Sequence, residues 1–181
     1  INAQFMIHYL LKDRITWDNF CWNVNKYLRP DGYLLITTLD GMAVDQSFVD
    51  GNITRSYINN TGQKKNYFDI VKKYPDNIDL SKLSGDDCLG LQIDAHISMF
   101  MDEGVYQPEY LVLPSFLINE LKTKCNLRLV ETESFRNLFY VYKDFFEHSA
   151  NYESKPETKK FFNDVKQFYN NDDQSIKDWF T

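Results

Sequence analysis

The chain has 181 residues, 43% of them hydrophobic and 16% aromatic, enough for one folded domain with its own core and too apolar for a disordered tail. No run approaches the roughly 18 apolar residues of a membrane helix, which excludes a membrane span. The 20 Lys and Arg against 26 Asp and Glu leave a net charge of -6, which excludes a protein that coats nucleic acid through its overall field but not a pocket that reads one nucleotide.

Residues 3–11, Ala-Gln-Phe-Met-Ile-His-Tyr-Leu-Leu, read as the end of a buried strand and the loop that follows it. From Thr16 the period changes: Trp17, Phe20, Cys21, Val24, Tyr27 and Leu28 form one stripe of an amphipathic helix. Thr16 is the expected N-cap, and Pro30-Asp31-Gly32 is the stop and turn. Tyr33 to Thr38 is then a nearly continuous apolar run of strand length, the pattern of a parallel strand covered on both faces. Strand, helix, turn and strand make half of a doubly wound α/β unit.

Residues 39–90 are less regular, and their five Lys and five Asp between positions 64 and 87 cancel, so no basic stripe is expected there. Leu91, Ile93, Ala95, Ile97 and Met99 alternate with polar residues, the clearest strand signal in the chain. Pro114 to Cys125 reads as a helix with Leu117, Leu121 and Cys125 on one face, and Leu127 to Thr132 as a further strand. Phe161, Phe162, Val165, Phe168 and Tyr169 lie at helical spacing after Pro156, Asn170 to Asp173 stops that helix, and Ile176, Trp179 and Phe180 are the anchors of the tail.

Cys21, Cys88 and Cys125 are odd in number and widely spaced, and His8, His96 and His148 do not cluster with them, so neither a disulfide framework nor a zinc site is expected. A reducing compartment follows, and the sequons at Asn52 and Asn59 are then chance occurrences. The chain opens on Ile1 and goes directly into an apolar run, which reads as the middle of a longer protein without a signal peptide. G-x-S-x-G, P-loop, H-E-x-x-H and G-x-G-x-x-G signatures are all absent from it.

Three segments carry a family resemblance. Gln4-Phe5-x-x-His8-Tyr9 is followed by Arg29-Pro30-Asp31-Gly32 and the run through Thr37-Thr38-Leu39-Asp40-Gly41, and later by Pro108-Glu109-Tyr110-Leu111-Val112. In that order the chain resembles the mRNA cap guanine-N7 methyltransferases. With Lys155 to Phe162 it looks most like the C-terminal portion of the methyltransferase domain in capping enzymes of large cytoplasmic DNA viruses, poxvirus- or asfarvirus-like. The resemblance implies a class I S-adenosylmethionine-dependent methyltransferase fold: Rossmann-like α/β, a doubly wound sheet with antiparallel last strands. The N-terminal strands, and the glycine-rich cofactor turn with them, would precede Ile1. It also implies four segments. Residues 1–50 would be strand-helix-strand of the core sheet, 51–105 an insert with cap-side strands, 106–145 a helix and the sheet edge, and 146–181 the C-terminal helix and tail.

By the same resemblance Gln4 and Phe5 lie beside the S-adenosylmethionine cofactor, although Phe5 also suits a plain core position. His8 and Tyr9 match the floor of the cap-guanine pocket, and Leu39 stands where cellular relatives place a Pro against the cap. Glu109 is the central candidate. Guanine carries N1–H and N2–H donors on the edge opposite N7, and a carboxylate accepting both would aim N7 at the methyl group and favour the cationic product. The other reading of Glu109 is an acid favoured near a helix N-terminus. Tyr110 is expected to pack. N7 carries no proton, so no general base is required and no metal is implied.

The implied substrate is the GpppN end of RNA, with triphosphatase and guanylyltransferase modules of the same polypeptide, or a stimulatory subunit, as partners. The implied location is the host cytoplasm, in a viral factory or the virion. The cofactor turn being outside the chain, residues 1–181 alone are expected to bind S-adenosylmethionine poorly. The alternative function is a non-catalytic methyltransferase-like module that binds and stimulates a capping-enzyme partner.

Overall fold

The computed structural model describes residues 1–58, 61–98, 100–152 and 155–170. It divides into two compact units, Ile1–Leu129 and Val130–Thr181. The first is an α/β assembly of a two-stranded parallel sheet and a four-stranded antiparallel sheet.

β1 (Asn2–Gln4) runs parallel to β2 (Leu35–Thr37), with Ala3 opposite Ile36. The loop expected after β1 contains a short helix, α1 (Ile7–Leu10), held down by Ile7 and Leu11, both fully buried. α2 (Arg14–Tyr27) buries Trp17, Cys21 and Val24 as its stripe requires, whereas Tyr27 is exposed. Its N-cap is Asp13 and not Thr16: the Asp13 carboxylate accepts the Thr16 N–H at 2.8 Å, so the helix begins before its first apolar residue. The Pro30-Asp31-Gly32 turn is present, with Asp31 at φ 59° and Gly32 N–H donating to Arg29 O at 2.9 Å.

β2 departs from the expected strand covered on both faces. Leu34 and Ile36 pack on the core, but Tyr33 and Leu35 are exposed, so within this unit the strand is covered on one face only.

The stretch read as irregular holds regular structure. α3 (Gly41–Gln46) is followed by the hairpin β3 (Asn52–Ile58) and β4 (Lys64–Lys72), then two 3-10 turns at Leu80–Lys82 and Gly85–Cys88. β5 (Gln92–Ile97) confirms the alternating run, apart from Met99, which is outside the described residues, and β6 (Gln107–Tyr110) closes the sheet in the order β3-β4-β5-β6. α4 (Pro114–Cys125) matches its expected span and buries Leu117 and Cys125. The strand expected over 127–132 is not formed: after the left-handed Asn126 (φ 52°) the chain is irregular, and Leu129 and Val130 are exposed. Strand-forming residues need a sheet edge to pair with, and among the described residues none lies alongside.

The core of this unit joins α1, α2 and α4 to β5 through Ile7, Leu11, Trp17, Ile93, Leu113 and Phe116. The three cysteines are buried free thiols. The one buried carboxylate of α4, Glu120, is matched: it accepts Trp17 Nε1 at 2.8 Å and pairs with Arg14 Nη1 at 2.5 Å.

Among its described residues the second unit is a pair of helices, α5 (Phe135–Tyr152), which is not among the expected elements, and α6 (Pro156–Asn170), which is. Ser134 starts α5 by accepting the Asn137 N–H at 3.1 Å, and the Phe145 and Phe162 rings meet edge to face at 6.2 Å. The expected stop at 171–173 and the tail anchors Ile176, Trp179 and Phe180 lie outside the described residues. No helix among the described residues is long and apolar enough to cross a membrane.

Candidate functional site

Three elements from distant parts of the chain converge on one shallow cleft. α1 brings His8, the β2–α3 connection brings Thr38, Leu39 and Gly41, and β6 brings Glu109. Each is placed by local chemistry. Burial of Ile7 and Leu11, four residues apart, fixes the roll of α1 and turns His8 toward β6. Asp40 caps α3 by accepting the Met42 N–H at 2.9 Å, and the Gly41 N–H donates to Val112 O at 2.9 Å, tying the connection to the strand end beyond Glu109. Glu109 sits opposite Ile93 in the antiparallel register and therefore shares its core-side face.

Glu109 is held by the two residues that the His-Tyr motif singled out. The Tyr9 hydroxyl donates to Glu109 Oε1 at 3.1 Å. His8 Nε2 stands 3.7 Å from Oε2, too far for a hydrogen bond, and both side chains are only 12% exposed. That nitrogen is buried and has no hydrogen-bond partner among the described residues. The His8 and Tyr9 rings are 4.1 Å apart. Burial lowers the His8 pKa below 6.5, against the upward pull of the Glu109 charge, so the imidazole is neutral at pH 7. Burial and then the Glu109 carboxylate raise the Tyr9 pKa above 10, which keeps its proton in place. The result is a carboxylate acceptor and an orphaned imidazole nitrogen side by side on an apolar floor of Ile93 and Val112.

Of the expected residues, His8, Tyr9 and Glu109 are in mutual contact, and Leu39, half exposed, is on the cleft wall. Tyr110 packs on the core and also lines the cleft. Gln4 and Phe5 do not line it. They sit at the C-terminal end of β1, where Phe5, at φ 47° and 53% exposed, donates its N–H to Thr37 O at 2.9 Å. Phe5 is therefore not a core residue. Thr38, Gly41, Val44 and Val112 also line the cleft without being among the expected site residues, although all but Val44 fall inside the motifs that carry the resemblance. Among the described residues, no three His, Cys, Asp or Glu side chains gather as a metal site would require.

The chain is 39% identical over 171 residues, 93% of its length, to a probable mRNA-capping enzyme of Acanthamoeba polyphaga mimivirus. It spans 14% of that protein, so the similarity is to one region of a viral capping enzyme. No protein-family profile matches the chain.

Proposed function

We propose that this chain serves mRNA capping and forms the cap-guanine side of a guanine-N7 methyltransferase, with S-adenosylmethionine as methyl donor and the GpppN end of RNA as substrate. The observation that carries the reading is the Glu109 carboxylate, 12% exposed, steadied by the Tyr9 hydroxyl and set beside the unpaired His8 Nε2. A buried acid facing a cleft without a cation is costly unless a donor-rich ligand completes it. The N1–H and N2–H edge of guanine is such a ligand. A neutral His8 can donate from Nε2 to the neighbouring O6, a role that an imidazole with a free, buried nitrogen is fitted for.

The donor's place is supported by the parallel pair. A ligand of a doubly wound sheet sits outside the C-terminal ends of parallel strands, and Gln4, Phe5 and Thr37 stand there next to the cleft wall. Gln4 and Phe5 would hold one edge of S-adenosylmethionine, whose sulfonium supplies an electrophilic methyl group. The chain's own residues then act by position and charge. Glu109 fixes the ring so that N7 faces away from the carboxylate, and its charge stabilises the guanine as N7 becomes cationic. No proton leaves N7, so no base is needed.

The test is methyl transfer from labelled S-adenosylmethionine to GpppA-capped RNA, using the full polypeptide and its Glu109→Ala variant. Transfer to N7 that collapses in the variant supports the reading. Transfer that the variant leaves untouched removes Glu109 from it, and a folded protein with no transfer removes the methyltransferase.

A further inference from the structure

The charge balance between residues 64 and 87 conceals a separation that only the folded hairpin reveals. From Asn52 to Phe68 there is no Asp or Glu, while Arg55, Lys64 and Lys65 are present in a chain of net charge -6. Among the described residues Arg55 and Lys64 have no acidic partner, and Lys65 pairs only with Glu103, whose side chain is 78% exposed. An exposed pair of that kind is worth little and exchanges readily for another anion. Tyr57, 47% exposed, lies between Arg55, two residues earlier on β3, and Lys65, its register partner on β4, with the Tyr67 ring 6.4 Å away.

The register sets this surface relative to the cleft. Lys72, Ile93 and Glu109 form one row across β4, β5 and β6. Arg55, Phe68 and Ile97 form another, four residues further along β4. Residues an even number apart on a strand share a face, so Arg55 and Tyr57 are on the Glu109 side of the sheet. A bulge at Tyr67 brings Lys65 opposite Tyr57, onto that side too. Four residues along the strands and three strands across, strand geometry puts Arg55 about 20 Å from Glu109, the reach of a triphosphate bridge and a few nucleotides.

We propose that the β3–β4 hairpin is the contact surface for the first transcribed nucleotides of the capped RNA, Arg55 and Lys65 meeting phosphates and Tyr57 stacking on a base. The idea rests on the cap reading of the cleft and extends it outward. One cation without an acidic partner, Arg55, and one in an exposed, exchangeable pair, Lys65, interleaved with an exposed aromatic, suit single-stranded RNA, which offers phosphates and unstacked bases. An apolar partner would leave the cations unmatched, and an acidic one would match the cations but offer Tyr57 no base to stack on.

The experiment measures fluorescence anisotropy of the full polypeptide with two probes, the GpppA dinucleotide and a GpppA-capped unstructured RNA of twelve nucleotides. Arg55→Gln combined with Lys65→Gln is expected to weaken the long probe about tenfold and to lower the slope of log affinity against log salt by ~1.4, at ~0.7 per phosphate contact. Binding of GpppA is expected to be unchanged. Tyr57→Ala, which removes no charge, is expected to weaken the long probe by about tenfold without altering the salt slope. Equal binding of the long probe by variants and wild type overturns the proposal, as does a matching loss on GpppA. Loss of association with a protein subunit at unchanged RNA affinity also overturns it, in favour of a protein-docking hairpin. Glu109→Ala separates the two readings. If that variant leaves GpppA affinity intact while the hairpin variants still weaken the long probe, the cap pocket fails and the RNA surface stands.

Discussion

The Tyr9 hydroxyl and the Glu109 carboxylate, a hundred residues apart in sequence, meet at 3.1 Å, and this bond fixes one carboxylate oxygen while leaving the other turned toward His8. Glu109→Gln retains the shape and an acceptor for Tyr9, but it removes the charge and replaces one acceptor with an N–H₂ donor that opposes those of guanine. A charge-assisted hydrogen bond contributes about 1.5–3 kcal/mol, so kcat/KM for GpppA methylation should fall by roughly 10- to 150-fold. The thermal unfolding midpoint should stay near that of the wild type. A variant that methylates GpppA normally would remove the guanine-edge role.

His8 supplies a pH dependence whose sign follows from its surroundings. It faces Glu109 and Tyr9, and burial holds its pKa below the ordinary 6.5 despite the Glu109 charge. The unfolded state therefore takes up the proton first. Above about pH 7 neither state is protonated at His8 and stability is unaffected; as pH falls through 6.5 toward the lower folded value, stability is lost. Urea midpoints measured between pH 7.5 and 5.5 should decline more steeply for the wild type than for His8→Gln. Parallel declines would show that His8 carries no such burial.

Much of this architecture is legible in the sequence wherever one period dominates. Pro114 to Cys125 has a proline start, an apolar face and a left-handed Asn126 at its end, and α4 spans those residues. The β3–β4 hairpin is hidden for an equally physical reason. The bulge at Tyr67 interrupts the alternation, and Lys64, Lys65 and Asn66 place polar residues on both faces of an overhanging strand. Leu127 to Thr132 shows the converse, strand-forming residues with no edge to join. α5 had a readable signal, since Phe135, Leu138, Tyr142 and Phe145 recur at helical spacing. For the site, spacing alone could not bring His8 and Tyr9 to Glu109. Only the ordered motifs suggested it, and the contact of α1 with β6 supplies the geometry.

Glu120 offers a stability test away from the cleft. It is 8% exposed and is shared by Trp17 Nε1 and the Arg14 guanidinium, which also bonds Asp86 through Nε at 2.8 Å. Glu120→Ala strips the indole N–H of its acceptor in the core and leaves Arg14 with its exposed partners. Breaking a buried pair costs ~3–5 kcal/mol, and the partial exposure of Arg14 brings the expected loss to about 2–3 kcal/mol. Lys124→Ala, which breaks an exposed pair with Asp18, should cost under about 0.5 kcal/mol. Denaturant midpoints of the two variants should therefore separate clearly, and equal midpoints would contradict the burial argument.

Gly41 links the stability of the fold to the shape of the cleft. A Cβ built there would lie 2.7 Å from Val112 O and 3.0 Å from Val112 C, against backbone that cannot rotate away. The close approach exists because the Gly41 N–H bonds that same carbonyl at 2.9 Å. Gly41→Ala must push the start of α3 away from Val112, at a cost of ~1–3 kcal/mol as for other overpacked contacts. The displacement also moves Leu39, two residues before Gly41, away from Glu109, three residues before Val112, so it widens the cleft between its two walls. The variant should therefore show a lowered urea midpoint together with weakened binding of GpppA, while Glu120→Ala, below its own unfolding transition, should lower only the midpoint. Undiminished GpppA affinity in folded Gly41→Ala would show that the Leu39 wall is not part of the binding surface.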